Sequence, residues 1–526
     1  MSTHAGSLTA ALASSGVDCS SDPDDLEFHT HDIVHRGAGI AAIVRPRDKH
    51  ELATAVGLAT AAGLAVVPRG GGMSYTGGYT PDQPGAVLFD LSRMNQVIAI
   101  DKDSMNVTVE AGCTWAMLHQ QLEKHGLRTP MWGTLSGLKA TIGGTMSQNG
   151  IFWGSARHGT AAQSCTALEV VLADGTLLAL GKKHLRPYGP DLLGLFLADC
   201  GAMGIKATVT LRLMRELKGH AGASFSFDDR KAWLLAAAEI ERQGLASECF
   251  GFDPFLNAIR MQRESLASDV RQLFGMMKQQ ASLGRALKEG AKVVMSGRDF
   301  LKDARYSLHV LAEERTEEAA EANIALAREI CTGIGGKEIE NTIPKMVRSN
   351  PFGPLNAIIG PEGERWVPIH GHVPHERANE CFTAIEDLFA RNKAEMDALG
   401  AHYGTLITVI AGGNTVLEPC LYWPDERNAL IEGTVEIDHL SRLPRLVANP
   451  AARGLADRLR QDLVDLFFAF EAAHFQIGRT YRYRDSLPHP ALDLLSAIKQ
   501  QVDPKGLMNP GVLGIEPQRK TKGTVT

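Results

Sequence analysis

The sequence predicts an α+β protein in which two different kinds of region follow each other along the chain. Helical and strand patterns alternate around glycine-rich loops in the first part, as at residues 66–79, VVPRGGGMSYTGGY. From about Glu216 long Ala- and Glu-rich helical stretches dominate and the glycine loops become rare. From Glu471 dense short motifs return. We therefore predict domain boundaries at 1–215, 216–470 and 471–526, with the last segment returning to the first domain.

The composition is that of an ordinary globular protein, with 526 residues, 44% hydrophobic and 22% charged, long enough for two or three cores. A balance of 54 basic and 60 acidic residues gives no overall field that would attract nucleic acid. The eight cysteines are dispersed without a C-x-x-C pair, which excludes a zinc knuckle and a dithiol motif. The start of the chain lacks signal-peptide features, and no apolar run suits a membrane span. We expect a cytoplasmic protein without a membrane span.

The elements of the first part follow from apolar periodicity and turn residues. Residues 45–72 predict a helix, a strand and then a glycine loop. Short β-rich runs come next, and a helix follows at 115–126, closed by a glycine. Residues 165–180 predict a hairpin with its turn at Asp174-Gly175.

The middle part contains two similar units, each a strand followed by a helix, at residues 305–336 and 365–400. Such units are typical of a split βαβ sheet that carries its helices on one face. The repeat is architectural, because neither unit is of low complexity.

The first glycine loop needs an explanation, because glycine loses more conformational freedom on folding than other residues do. In PRGGGMS, residues 68–74, unhindered amide N–H groups can converge on a phosphate, with charge from Arg69 and a hydroxyl from Ser74. Neither the P-loop spacing nor the dinucleotide G-x-G-x-x-G spacing is present, which also disfavours a nicotinamide enzyme. Taken alone, the run is equally compatible with a plain loop.

A second glycine-rich stretch at residues 134–159 changes that balance, since a large dinucleotide needs contacts along its whole length. Together the loops, with LEVVLADG (168–175), GPDLLGLFLADCGAMGI (189–205) and IKQQVDPKGLMNPGVLGIEP (498–517), resemble the vanillyl-alcohol oxidase and para-cresol methylhydroxylase (PCMH) superfamily of FAD-linked oxidases. D-lactate dehydrogenase and 4-cresol dehydrogenase represent two of its branches. The resemblance implies a PCMH-type FAD-binding domain of two α/β subdomains and a cap domain with an antiparallel sheet covered by helices.

The resemblance also implies which residues hold the FAD. The expected positions around the pyrophosphate are Arg69, Gly70, Gly71, Gly72, Met73 and Ser74, and those along the flavin and ribityl chain are Thr141, Ile142, Gly143, Gly144, Ser147, Gln148 and Asn149. Ile205 would offer its backbone to the cofactor, Asn509 would lie near the ring, and Gly77 is a further cofactor position. Met73 stands where some relatives carry the histidine that bonds to the flavin, and a thioether cannot form that link. We expect non-covalent FAD, with a link from the middle part left open.

The substrate side fits neither branch fully. The hydroxy-acid branch holds a metal with H-x-G-D-G-N-x-H and a later glutamate, whereas this chain has VIAGGNTV at residues 409–416 and Ala473. Aliphatic side chains donate no lone pair, so we expect no metal. The aryl branch uses a tyrosine-arginine pair where this chain has Phe467-Phe468, and an acid near the second loop, where 129–156 has none.

Histidines and basic residues remain as catalytic candidates. His474 is the first choice and His370 the second for taking a hydroxyl proton, with Arg479 and Tyr481 binding a substrate oxygen. His370 and His372 are two residues apart and would share one face of a strand. The H-x-H-x-x-H spacing, completed by His375, favours surface histidines at a strand end over a metal site.

The predicted function is transfer of a hydride from a CH–OH donor, a D-2-hydroxy acid or an aromatic alcohol, to flavin N5. The alternative is a non-catalytic FAD-binding subunit that passes electrons within a complex. The sequence leaves open whether oxygen, a quinone or a cytochrome accepts the electrons, and whether the protein forms a homodimer.

Overall fold

The computed structural model describes residues 8, 11, 12, 14–262 and 305–517. A first sheet contains strands β1 (Asp18–Ser20), β2 (Ile40–Arg45), β3 (Val66–Arg69) and β4 (Ala86–Asp90), in the order β1-β2-β4-β3. Strands β2, β4 and β3 are parallel, so the glycine loop leaves the carboxyl end of β3 beside the end of β4. In open parallel sheets ligands bind outside these carboxyl ends.

A second, antiparallel sheet completes the part of the chain predicted to bind FAD, residues 14–215, which we call the FAD-binding part. Its strands are β5 (Val97–Asp101), β6 (Asn106–Glu110), β8 (Cys165–Val171), β9 (Leu177–Gly181) and β10 (Ile205–Arg212), in the order β5-β6-β10-β8-β9. A two-stranded pair joins β7 (Leu127–Arg128) to β11 (Met214–Arg215). The turn between β8 and β9 contains Gly175 at φ 84°, which confirms the predicted hairpin.

The third sheet has eight strands and runs antiparallel. They are β12 (Gly219–Phe227), β13 (Glu248–Phe252), β14 (Tyr306–Glu314), β15 (Lys337–Ile339), β16 (Arg365–Pro368), β17 (Gly371–Pro374), β18 (His402–Ile410) and β19 (Asn414–Trp423). The order is β15-β12-β14-β13-β18-β19-β16, and β17 also pairs with β19. We call it the cap sheet.

The helices connect and cover these sheets. They are α1 (Pro23–Thr30), α2 (Lys49–Ala61), α3 (Trp115–Glu123), α4 (Ile142–Gln148), α5 (Ser155–His158), α6 (Ala161–Ser164), α7 (Arg230–Arg242), α8 (Pro254–Gln262), α9 (Glu317–Gly333), α10 (Thr342–Ser349), α11 (His375–Leu399), α12 (Ala429–Thr434), α13 (Ile437–Leu440), α14 (Pro450–Ala469), α15 (Tyr483–Ser486) and α16 (His489–Val502). Short 3₁₀ turns lie at Leu91–Arg93, Leu192–Phe196, Leu355–Ile358 and Val512–Gly514. None of the helices within the described ranges is both long and apolar enough to cross a membrane.

The two faces of the cap sheet have different neighbours. Helices α7, α9, α11 and α14 share one apolar core with one face, to which Cys249 and Leu421 contribute. Alternate residues of the same strands, such as Phe250, Phe252 and Tyr422, belong to a separate cluster on the other face. Side chains alternate along a strand, so these four helices cover one face, while the other face packs against α8, α10 and the FAD-binding part. The predicted α+β class with a helix-covered antiparallel cap sheet is confirmed.

The carboxyl-terminal segment adds to the first sheet. Val66 N–H donates to Leu507 O over 2.8 Å, and Asn509 N–H donates to Val66 O over 2.8 Å. The buried Lys499 ammonium holds the preceding turn through Asp503, at 2.6 Å, and two backbone carbonyls. The last motif therefore lies against the strand that carries the first glycine loop.

Candidate functional site

A cavity of about 450 Å³ lies between the two glycine loops and the cap sheet. The loop side of its wall includes Gly70, Gly143 and Ile205, and the cap side includes Leu406 and Glu418. One continuous space therefore connects the expected nucleotide loops to the face of the cap sheet opposite helices α7, α9, α11 and α14.

The first glycine loop presents free amide donors to this cavity. The backbone N–H groups of residues 70–75 donate no hydrogen bond to any residue that the structure describes. Buried amides without a partner are rare in proteins, and a row of them on a cavity wall suits the phosphate oxygens of a dinucleotide. The loop therefore fits the pyrophosphate of FAD.

The glycines serve a second purpose, because the two loops touch each other. A Cβ on Gly71 would lie 1.7 Å from the carbonyl oxygen of Lys139, and one on Gly70 would lie 2.3 Å from Thr141 Oγ1. Gly72 has φ +71°, a conformation that side chains disfavour. Close contact between the loops is thus part of the reason for the glycine run, beside access to a ligand.

Arg69 lies behind the loop and not on the cavity wall. Its buried guanidinium lies over the rings of Phe28 and Tyr79, 5.2 and 5.6 Å from their centroids, and Tyr79 Oη donates to Gly72 O over 2.9 Å. Arg69 Nε has no hydrogen-bond partner among the described residues. The positive charge is therefore held directly under the loop backbone.

Helix α4 of the second loop and the start of β10 supply further residues of the loop-side wall. Thr141 caps α4 by accepting a hydrogen bond from Gly144 N–H over 3.2 Å. Eleven of the predicted cofactor positions line the cavity: Gly70, Gly71, Gly72, Met73, Ser74, Thr141, Gly143, Gly144, Ser147, Gln148 and Ile205.

Five predicted cofactor residues do not line it. Arg69 lies behind the loop, and Ile142 is buried. Asn149 ends α4 at φ 51°, and its side-chain oxygen accepts a hydrogen bond from Ala162 N–H. Gly77 N–H donates to Asp32 Oδ2 over 2.8 Å, and Asn509 Nδ2 donates to Gly78 O and Cys200 O over 2.7 and 2.6 Å. These contacts give both residues a part in holding the first loop.

The two histidines predicted to be catalytic lie behind Phe475, which lines the cavity in their place. His370 Nε2 donates to Phe475 O over 2.7 Å, and its Nδ1 accepts from Tyr481 Oη over 3.2 Å, so both ring nitrogens are used. His474 Nδ1 donates to His370 O over 2.8 Å. Burial lowers the pKa of His474 to about 4 and that of His370 well below its usual value. This arrangement gives both rings a packing role.

Tyr481 and Arg479, predicted to bind a substrate oxygen, are engaged in the same way. The Tyr481 ring stacks on His474 at 3.9 Å between centroids. Arg479 donates to Gly77 O and Pro510 O and forms an ion pair with Asp82 at 2.9 Å. Neither side chain lines the cavity, so their placement does not support a substrate contact.

The expectation of surface histidines in the H-x-H-x-x-H stretch is wrong. His370 and His375 are buried, because the segment after α14 covers this stretch: His372 pairs with Ala473 through backbone hydrogen bonds, and Phe475 stacks on His370. His375 contacts Glu241 and Thr415, at 2.9 and 2.7 Å. Within the part of the chain that the structure describes, no group of three or more potential metal-ligating side chains is found.

Glu418 is the candidate that sequence reasoning missed. It lies on β19, paired with Leu406 of β18, and both residues line the cavity. Its carboxylate has no hydrogen bond or ion pair to a described residue, and burial raises its pKa to about 7. The Glu418 charge adds to the effect of burial in raising the pKa of Tyr75 on the opposite wall. A carboxylate with these properties is a suitable general base.

A signal for Glu418 existed in the sequence. The stretch NTVLEPCLYW, residues 414–423, holds a single carboxylate in an otherwise apolar strand, and Cys420 and Tyr422 follow it at alternate positions. All three line the cavity, as the two-residue period of a strand requires. The aryl branch of the resemblance points to an acid near the second glycine loop, whereas Glu418 lies more than 250 residues further along the chain.

Comparison with known sequences supports the loop side of the site. A family described as FAD binding domain matches residues 40–181. D-lactate dehydrogenase [cytochrome] 1, mitochondrial, of Saccharomyces cerevisiae is 32% identical over 185 residues, 35% of this chain and 31% of the relative. Glycolate oxidase subunit GlcD of Bacillus subtilis is 30% identical over 175 residues, 33% of this chain and 37% of the relative. The matches thus span less than half of these relatives.

Comparison with solved structures extends the likeness to the whole chain. A p-cresol methylhydroxylase with substrate bound has a TM-score of 0.69 at 18% identity, covering 98% of this chain and 96% of that one. A 4-ethylphenol oxidase from Gulosibacter chungangensis has a TM-score of 0.69 at 16% identity, covering 98% and 97%. At these identities the likeness shows the fold.

Proposed function

We propose, from the premise that this chain belongs to the FAD-linked oxidase superfamily, that it oxidises a small hydroxylated molecule in the chamber under the cap sheet. One observation carries the proposal: a single cavity joins the unpartnered loop amides of residues 70–75 to the unpartnered carboxylate of Glu418. Amides of this kind suit the phosphates of FAD, and the carboxylate suits a reacting hydroxyl.

The residues that line the cavity indicate which of them hold the cofactor and which face the substrate. Residues 70–75 hold the pyrophosphate through their amides, while the hydroxyl of Ser147 and the amide of Gln148 face the ribityl chain from α4. FAD, when bound, supplies the acceptor for the two electrons that leave the substrate as a hydride. Placement of both partners in one closed chamber is the main contribution of the protein.

Glu418 takes the proton. Oxidation of an alcohol breaks one C–H and one O–H bond and forms a C=O bond, and the O–H proton needs an acceptor on the substrate side. The carboxylate of Glu418 accepts it while the hydride leaves the carbon. Because burial raises its pKa to about 7, Glu418 is a stronger base than an exposed carboxylate and is still deprotonated in a large fraction of molecules at neutral pH.

The FAD is proposed to be non-covalent. Met73 lines the cavity at the position where a covalent link from this loop would arise, and its thioether cannot form one. Precipitation of the yellow protein with acid would release all of its FAD into the supernatant. Flavin retained in the pellet would contradict this part of the proposal.

The test of the function is anaerobic mixing of the purified yellow protein with candidate alcohols and hydroxy acids, followed by absorbance at the flavin band. Bleaching by an alcohol, lost in Glu418→Gln and kept in the surface control Glu321→Gln, would support the proposal. A flavin that no candidate bleaches but that a partner protein reduces would favour an electron-transfer subunit instead.

A further inference from the structure

The cavity wall contains very little charge. Among the described lining residues, Lys206 is the only cationic side chain and Glu418 the only anionic one. The Lys206 ammonium is buried and forms an ion pair with Asp199 at 2.5 Å. Lys206 belongs to β10 on the loop side, so the described cap side of the wall offers no cation.

Other basic groups near the chamber are either paired with a carboxylate away from the wall or uncharged. Arg128 and Arg348 both pair with Glu313 and do not line the cavity. His370 and His474 lie behind Phe475, and burial lowers the pKa of each, so both rings are neutral at neutral pH. None of these groups is placed to meet a substrate anion.

The remainder of the cap-side wall is largely apolar and aromatic, and its polar groups, the amides of Asn350 and Asn356 and the hydroxyl of Thr408, carry no charge. Its apolar and aromatic members include Leu256, Ile358, Trp366, Leu406, Tyr422 and Phe475. Trp366 meets Tyr75 edge to face at 5.8 Å between centroids, which gives this wall a rigid aromatic corner. Such a surface favours a flat or bulky apolar body.

We propose, building on the function above, that the substrate is an uncharged and largely apolar alcohol, and not a 2-hydroxy acid or a phenolate. An anion entering the chamber would lose its hydration without meeting a free cation on the described part of the wall, and it would also approach the Glu418 carboxylate. A neutral alcohol avoids both costs, since its hydroxyl donates to Glu418 and its apolar body contacts the aromatic wall. The substrate class thus differs from that expected from the names of the hydroxy-acid relatives.

The test uses ligand pairs of equal shape that differ in charge. (R)-1-phenylethane-1,2-diol is compared with (R)-mandelate, and propane-1,2-diol with D-lactate, each by perturbation of the flavin spectrum on binding and by anaerobic bleaching. We expect the diol of each pair to bind at least about 10-fold more tightly, because a buried unpaired charge costs more than one hydrogen bond. Equal or tighter binding of the acids would overturn the inference.

The two readouts separate this inference from the proposed function. Tighter binding of the diols without bleaching by any alcohol would contradict the proposed oxidation and leave the substrate class supported. Bleaching by mandelate or lactate at rates equal to those of the diols would contradict the substrate class and support the oxidation.

A charge-reversal variant provides a second test. Leu406 is the cross-strand partner of Glu418, so Leu406→Arg combined with Glu418→Gln places a cation on the same patch of wall. We expect this double variant to gain affinity for mandelate relative to the diol, while Leu406→Met with Glu418→Gln does not. A double variant that retains FAD without any change in this preference would argue against the electrostatic basis of the inference.

Discussion

The guanidinium of Arg128 donates to Oε2 of Glu313 over 2.6 Å, and both side chains are buried. The pair joins β7, in the FAD-binding part, to β14 of the cap sheet. Arg348 also contacts Glu313 from α10, so one carboxylate anchors two cations. Burial by itself would raise the pKa of Glu313, but the charges of Arg128 and Arg348 outweigh it and hold that pKa below its usual value.

Removal of the Glu313 charge should therefore destabilise the protein strongly. We expect Glu313→Gln to lower the free energy of unfolding by about 3–5 kcal/mol, since it leaves buried cations without their partner. Denaturant unfolding of the purified variants measures the effect. The neighbouring Glu314→Gln, whose carboxylate pairs with Arg157 near the surface, should cost about 1 kcal/mol or less. Equal losses in the two variants would count against a special role for the buried pair.

Substitution of Glu418 should affect chemistry more than binding of the cofactor. We expect Glu418→Gln to slow flavin reduction about 100-fold or more, the usual contribution of a general base, while the FAD content stays normal. Stopped-flow absorbance gives the rate, and Glu321→Gln on the exposed side of α9 serves as the control. A rate within a few-fold of that of the unaltered protein would remove Glu418 from the mechanism.

The rate of flavin reduction should also depend on pH through Glu418. Since the pKa of this carboxyl is raised to about 7, the fraction of active carboxylate increases as the pH rises through 7. We expect the rate of the unaltered protein to follow that increase and to level off above it. The residual rate of Glu418→Gln should lack this rise, and a profile of the same shape in both proteins would assign the titration to another group.

Stability should show the opposite dependence on pH. The unfolded Glu418 carboxyl loses its proton near 4.5 and the folded one near 7, so between these values the folded protein binds more protons. Stability must then fall as the pH rises from about 5 to 8. We expect this fall to be smaller in Glu418→Gln, as measured by denaturant unfolding of the FAD-free protein. An identical fall in the variant would exclude Glu418 as its source.

Closure of the two glycine loops should depend on Gly71. A Cβ at this position would meet Lys139 O at 1.7 Å, so Gly71→Ala must push the loops apart. We expect the purified variant to lose most of its FAD, as shown by the ratio of flavin to protein absorbance. Gly454→Ala, in α14 with open space around it, should keep its FAD and is the matched control. Full FAD content in Gly71→Ala would mean that the loops need not touch.

The sequence alone was sufficient for the loops and the class of fold. Glycine runs, helix caps such as Thr141 and the Asp174-Gly175 turn are local features, because they depend on residues within a few positions of each other. The eleven cofactor positions that line the cavity were expected from the resemblance of these loops to those of the FAD-linked oxidases. Their arrangement could be anticipated because the loops follow directly from strands and helices with strong patterns.

The substrate side was decided by tertiary structure. His370 and Glu418 both lie in or beside strands of the cap sheet, and nothing in the sequence states which strand face meets the FAD-binding part. Phe475 separates His370 from the cavity, whereas the register of β19 against β18 brings Glu418 to its wall. The sequence by itself determined where the backbone could bind a phosphate. Only the packing of two distant parts of the chain decided which side chains share that space, because a strand buries one face or the other according to what covers it.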